Sequence, residues 1–327
     1  MALSEATVDQ HISHWTERLG AGIRPYRKHW PARLFHHSPL QNALAIAKEG
    51  YLRARADPGR EQLLDVAADG VIDNRQEAHS RVRLYFRPRT PTQFHIEGIR
   101  KPADCHYGPG AHAPILVMFV LDARKILTQA NTLFSDQNMQ NHAARTGADE
   151  EFFQSIPFDS VYHEGGIGGD YSIIAHRCAE VLPRSPLLLS DVLSGIWFRS
   201  EPERDTFLHL LGDLSSKWHD FCSVSEELKV FDKRFAFLND ISLSTEGISF
   251  RINHRHDLQP VSLAIQAYDE AGDLCINFKN ENFKTYNKSS GRWIYRTALQ
   301  PSNYLVKVQI ENNLAYEGMI RLDDSLF

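Results

Sequence analysis

From about residue 240 to its end, the chain consists of short runs that alternate in polarity. These are "ISLS", "ISFRIN", "SLAIQAYDE", "LCINFKN", "WIYRTAL", "NYLVKVQIE" and "LAYEGMIRL", separated by Gly, Asn, Asp, Ser and Pro. An alternation of period two turns every second side chain to one face, so each run can bury only one of its sides. Seven half-buried strands at regular spacing need a second sheet to cover them. That predicts a small antiparallel β-sandwich of immunoglobulin-like type over residues 240–327. A chain of 327 residues is long enough for a second core, and residues 1–236 read differently. Two domains are expected, 1–236 and 240–327, with an α+β fold in the first.

The first part mixes helical and strand patterns. Val8, Ile12, Trp15 and Leu19 recur at helical spacing over residues 5–19. "RLFHHS" reads as a strand running into "PLQNALAIAKEGYL", where Pro39 can start a helix and Gly50 can stop one. "VRLYFRP" and "PILVMFVLD" read as strands, "ADEEFFQSI" as a helix, and residues 201–236 as mostly helical.

Hydrophobic content of 42% and charged content of 24% are those of a folded protein rather than a disordered one. The N-terminus lacks an apolar core of signal-peptide length, and no run approaches the length of a membrane span, so a cytoplasmic protein is expected. Cys105, Cys178, Cys222 and Cys275 have no CxxC spacing, which argues for reduced thiols over a zinc ribbon or disulfide framework. The net charge of -5 does not suggest a nucleic-acid binder. The distribution does, because "RPYRKHWPAR", "RARADPGR" and "RVRLYFRPR" gather cations in the first third. Interleaved Tyr26, Trp30, Tyr85 and Phe86 would suit a groove for single-stranded nucleic acid, although solvated surface is the ordinary meaning of such runs.

"DYSIIAHRCAEVLPRSP", residues 170–186, sets His176, Arg177 and Glu180 into an apolar, strand-like run. Isolated charges are costly to bury, so such a run opens onto solvent or lines a site. In a regular strand Ile174, His176, Cys178 and Glu180 would share one face, with Arg177 and Ala179 on the other. Arg177 would then meet either phosphate or solvent. The glycine loop "EGGIGGD" just upstream contains no phosphate-binding fingerprint. It reads either as a mobile recognition loop or as a plain surface turn.

Taken in order, "LFHHS", "LQN", "VRLYFRPRTP", "FSDQN" and "HRCAEVLP" resemble the motifs of the DarT family of nucleic-acid ADP-ribosyltransferase toxins. The likeness covers about residues 33–200. It implies the ADP-ribosyltransferase fold, a split β-sandwich with a cleft for NAD, and it implies NAD as substrate with no metal. Breaking the nicotinamide–ribose bond develops positive charge on the ribose, so a carboxylate beside it stabilises the transition state. The resemblance gives that role to Glu180, which would also take the proton from the attacking base.

By the same resemblance His36 holds the cofactor ribose, with Ser38 and Asn42 adding hydrogen bonds, while His37 alternates to the opposite face. Tyr85 or Phe86 would stack on nicotinamide, and Arg89 would bind pyrophosphate. The family also uses an arginine upstream of the "YF" strand; Arg75 is the best match, with Arg81 as its rival. Asn138, His163 and Arg177 are the candidate nucleic-acid contacts. The thymidine-modifying members usually carry histidine where this chain has Asn138, and the two side chains offer a base different donors and acceptors, so the modified base stays open.

The acceptor expected is a base in single-stranded DNA, with RNA a close second, and the partner implied is a neutralising antitoxin, in a toxin-antitoxin or phage-defence setting. Rival readings keep NAD but modify protein, build a metal hydrolase from segments such as "CHYGPGAH", or reduce the chain to a nucleic-acid-binding module.

Overall fold

The computed structural model describes residues 2–61, 63–64, 80–108, 110–139, 141–286 and 291–323. Helix α1 (Glu5–Gly20) starts at Ser4, whose Oγ accepts from the Thr7 N–H at 3.1 Å. Its buried face is Val8, His11, Trp15 and Leu19, so His11 takes the central place that periodicity offered to Ile12. His11 packs against Phe153 and Phe158, with ring centroids 5.0 and 4.3 Å away, and its Nε2 lies 3.1 Å from the Tyr162 hydroxyl.

Strand β1 (Arg33–Pro39) runs straight into helix α2 (Leu40–Glu49), which stops at Gly50 in the left-handed region with φ 80°. The strands that follow are β2 (Tyr51–Leu52), β3 (Leu84–Tyr85), β4 (Leu116–Asp122), β5 (Leu133–Ser135) and β6 (Thr146–Gly147). They continue with β7 (Glu180–Leu182), β8 (Leu187–Leu188), β9 (Leu193–Trp197) and β10 (Cys222–Ser223). Eight of them make one sheet in the order β10-β9-β4-β1-β3-β7-β5-β6. The run "LVMFVL" of β4 is buried along its whole length, as a central strand covered on both faces must be.

One expectation fails in its details. Residues Ser172–His176 form a short helix, α3, and the strand begins only at Glu180. The Asp170 carboxylate accepts from the Ser172 N–H at 3.0 Å and from its hydroxyl at 2.6 Å, which turns the chain before the β-branched pair can extend. The face shared by Ile174, His176, Cys178 and Glu180 therefore does not exist.

After helix α4 (Glu201–Leu211) the chain enters β11 (Phe237–Ser244), β12 (Gly247–Asn253), β13 (Val261–Tyr268), β14 (Leu274–Phe283), β15 (Trp293–Arg296), β16 (Ser302–Ile310) and β17 (Asn313–Leu322). These strands form two antiparallel sheets, β11-β12-β15 and β14-β13-β16-β17. Strict alternation of burial along β13 shows why period two was legible there. At Gly247, with φ 132°, a Cβ would sit 2.2 Å from the Tyr295 carbonyl oxygen, so only glycine fits that hairpin. One apolar cluster gathers residues from Leu3 to Phe231 and a second joins Ile99 to residues Ala236–Leu322. They meet along α4, where the Glu317 N–H donates to Thr206 Oγ1 at 3.0 Å.

Candidate active site

Three strands build the site. Tyr85 on β3 lies opposite Phe35 of β1 on one side and opposite Glu180 of β7 on the other. Residues directly opposite in an antiparallel pair point to the same face. Two residues before Tyr85, Arg83 shares that face and reaches diagonally across to Glu180. Its Nε donates to Glu180 Oε2 at 2.8 Å and its second amino group donates to Oε1. Glu180 is fully buried, and its backbone N–H is held by Ser135 Oγ at 2.9 Å. Ser135 opens the "SDQN" loop. The loop is docked against α3, because the Asn138 N–H donates to the Ala175 carbonyl at 3.0 Å and His176 Nδ1 donates to the Asp136 carbonyl at 2.7 Å.

A cavity opens beside this face. It is lined by His36, His37, Ser38 and Tyr85 from the strands, by Thr92 from the helix Pro91–Ile96, and by Arg53, Arg55, Arg60, Arg81 and Arg83 around it. The acids among its walls are Glu49 and Glu61, so the lining carries an excess of cations suited to a pyrophosphate. His36 Nδ1 donates to the Arg83 carbonyl at 3.0 Å. Burial brings its pKa down to about 4, so the ring is neutral and its Nε2 is left as an acceptor. Burial also lowers His37, to about 3.

Several sequence expectations change here. His37 lies on the Tyr85 face by cross-strand register, and its ring stacks on Tyr85 at 5.4 Å and 9°; it is part of the cavity rather than opposite to it. Asn42 also borders the cavity, but its amide is occupied. Its Oδ1 accepts from the N–H groups of Leu63 and Leu64 at 3.0 Å, and its Nδ2 donates to the Leu64 carbonyl at 2.7 Å, so it latches a wall segment. Phe86 is buried against Phe153 and Phe158 in the core and cannot stack on a ligand. Strand alternation explains this, since Tyr85 and Phe86 must face opposite ways.

Arg89 is not among the cavity walls; it pairs with Glu164 at 2.5 Å and donates to the Tyr26 hydroxyl at 2.9 Å. Its φ of 53° turns the chain away from the strand just before Thr90 caps the helix Pro91–Ile96. Arg75 lies outside the described residues. Its rival Arg81 borders the cavity and donates to the Leu182 carbonyl at 3.3 Å. Arg83 and the arginines of "RARADPGR" were missed as cavity residues. The signal was present as a charge cluster, but the sequence does not show which surface it faces.

A second cationic grouping holds the base of the glycine loop. Arg24 donates to the Glu164 carbonyl at 2.7 Å, Arg27 to the Tyr162 carbonyl at 2.8 Å, Arg177 to the Gly165 carbonyl at 2.7 Å, and buried Arg87 to the His163 carbonyl. Arg177 also donates to His163 Nδ1 at 2.6 Å, so it faces neither bare solvent nor a free phosphate site. Gly165 has a φ of 106°, which L side chains rarely adopt, and this explains glycine there. Two of the groove aromatics expected from the sequence have other partners: Trp30 is buried, with its indole N–H on the Leu228 carbonyl at 2.9 Å, and Tyr26 donates to Glu164. The exposed aromatic of this region is Tyr171, 76% exposed at the end of the loop.

Among the described residues, no three His, Cys, Asp or Glu side chains come together to hold a metal ion. In "CHYGPGAH", His106 stacks on His95 at 3.9 Å. No helix of the described residues is long and apolar enough to cross a membrane.

His11, His36 and His37 share one consequence. Their folded pKa values, about 3, 4 and 3, lie below the ordinary 6.5 because burial disfavours the imidazolium. Below pH 6.5 the unfolded chain takes up protons that the folded chain refuses, so their stabilisation is complete above 6.5 and is lost as pH falls toward 4. Melting curves from pH 7 to 4 should show Tm falling with acid, and less steeply in His11→Phe. A Tm independent of pH in that window would refute the assignment.

The family model for "ssDNA thymidine ADP-ribosyltransferase, DarT" matches residues 35–214, more than half of the chain. Solved structures of Thermus sp. 2.9 DarT are similar. The complex with ADP-ribosylated ssDNA has a TM-score of 0.49 at 14% identity, covering 61% of this chain and 96% of that one. The complex with NAD+ has a TM-score of 0.45 at 15% identity, covering 59% and 94%. Thermosipho africanus DarTG in complex with ADP-ribose has a TM-score of 0.40 at 13% identity, covering 64% and 53%. No curated protein matches the chain. From Phe35 onward the sequence motifs fall within the matched span, and the chain belongs to the DarT family and is an NAD-dependent ADP-ribosyltransferase.

Proposed function

We propose that this protein transfers ADP-ribose from NAD to a base in single-stranded DNA. The observation that carries the reading is Glu180 lying behind a cation-rich cavity, bonded to its wall residue Arg83 and opposite its wall residue Tyr85, with His36 presenting a neutral acceptor at the edge. The bond between ribose and nicotinamide breaks, a bond from the ribose to the base forms, and Glu180 takes the proton that the base gives up. The same carboxylate stabilises the positive charge developing on the ribose. Ser38, Tyr85 and Arg81, which line the cavity, are assigned to NAD binding, and Asn138 is assigned to the acceptor base.

The acceptor strand runs over the glycine loop. Guanidinium groups bonded to carbonyls keep their charge, so Arg24, Arg27 and Arg177 supply a positive field under an exposed stacking surface at Tyr171. Tyr171→Ala should weaken single-stranded DNA binding by about 1–3 kcal/mol with little effect on the melting temperature. Fluorescence anisotropy with a labelled oligonucleotide measures this, and unchanged affinity would move the strand elsewhere.

Incubating the full chain with labelled NAD and matched single-stranded DNA, single-stranded RNA and protein extract tests the reading. Label on DNA supports it, whereas label on RNA or protein alone replaces it with the corresponding acceptor. Residues 1–236 form the catalytic unit in this proposal, and residues 240–327 an accessory immunoglobulin-like sandwich for partner contact. A cytoplasmic toxin with a neutralising antitoxin, acting in phage defence, follows from the family resemblance.

A further inference from the structure

Glu180 cannot act in the state described above, because one guanidinium holds both of its oxygens. The Arg83 side chain is 28% exposed and lines the cavity, whereas the Glu180 side chain is fully buried beneath it and is not among the cavity walls. A carboxylate buried in this way is screened from a ribose hydroxyl or an incoming base, since two of its lone-pair sites point at the guanidinium and none of its surface reaches the cavity. Other cavity arginines are tied to the walls themselves: Arg53 to Glu49 and Asp57, and Arg81 to the carbonyls of Asn131 and Leu182. Arg83 differs in that its partner is the proposed catalytic group.

We propose that Arg83 is a substrate-displaced clamp, which covers Glu180 in the free enzyme and turns onto the pyrophosphate of the dinucleotide when the cavity fills. A guanidinium fork matches a carboxylate and a phosphate with the same bidentate geometry, so the exchange preserves its hydrogen bonds. Moving from the edge of the cavity into it requires rotation of one side chain and no movement of the sheet. The exchange uncovers Glu180 only when NAD is present, and it lowers the apparent affinity by the fraction of molecules in which the clamp is closed. The inference rests on the cavity being the NAD site.

Calorimetric titration of the full chain with ADP-ribose, which cannot react further, tests the clamp. Glu180→Gln releases the clamp and should bind ADP-ribose about tenfold more tightly than the wild type, the value of one charge-assisted hydrogen bond. In an Arg83→Gln background the same Glu180→Gln change should bring no gain, because the clamp is already gone. A gain that persists there would mean simple relief of charge repulsion and would overturn the proposal, as would no gain in the single variant. Arg83→Lys keeps the charge but loses the fork toward carboxylate and pyrophosphate alike, so it should bind ADP-ribose more weakly than Glu180→Gln; binding as tight as that of Glu180→Gln would count against the clamp. Absence of binding by every variant and the wild type would overturn the clamp together with the NAD site, whereas binding without coupling would overturn the clamp alone.

Discussion

Glu180→Gln is expected to lower the transfer of ADP-ribose to single-stranded DNA by about 10³-fold or more, the scale of losing a preorganised electrostatic group at a developing charge. The glutamine side chain is isosteric, and the backbone N–H of residue 180 keeps its bond to Ser135 Oγ. Arg83 loses one acceptor but remains partly exposed and can be hydrated. Melting temperature should therefore change little while activity disappears. Initial rates with labelled NAD, together with thermal unfolding, separate the two effects. Activity within tenfold of the wild type would remove Glu180 from the chemistry.

The largest stability effect is expected at Glu203. Its carboxylate and the Arg199 guanidinium are both almost wholly buried, and Arg199 Nε donates to Glu203 Oε2 at 3.0 Å. Burial raises the Glu203 pKa, with Arg199 working against that shift. Arg199 also lies over the Phe237 ring at 4.8 Å, so the pair sits where the two apolar clusters meet. Glu203→Ala leaves a buried cation without its partner, which costs about 3–5 kcal/mol. Replacing both residues by apolar ones of similar volume, Arg199→Met with Glu203→Leu, should recover much of that loss. Urea unfolding measures all three proteins. A single variant costing under about 1 kcal/mol would show that water reaches the site.

These predictions depend unequally on what can be read along the chain. The helix face of residues 5–19, the turn at Gly50 and the seven strands after 240 were legible because each is set by neighbours a few residues apart. Residues 172–176 were not, because an Asp170 turn overrode β-branched residues that by themselves favour extension. Phe86 was misplaced because either member of a Tyr-Phe pair in a strand can face inward, and the pattern does not say which.

By itself the sequence determined the order of elements, the alternating sandwich strands and the motifs that mark the family, since all three are local. The tertiary structure alone decided that Arg83 covers Glu180, that Arg89 and Asn42 have other partners, and that the "RARADPGR" arginines face the cavity. Each of those contacts joins segments distant in the chain. Their distances follow from sheet register and chain packing, which no local pattern encodes.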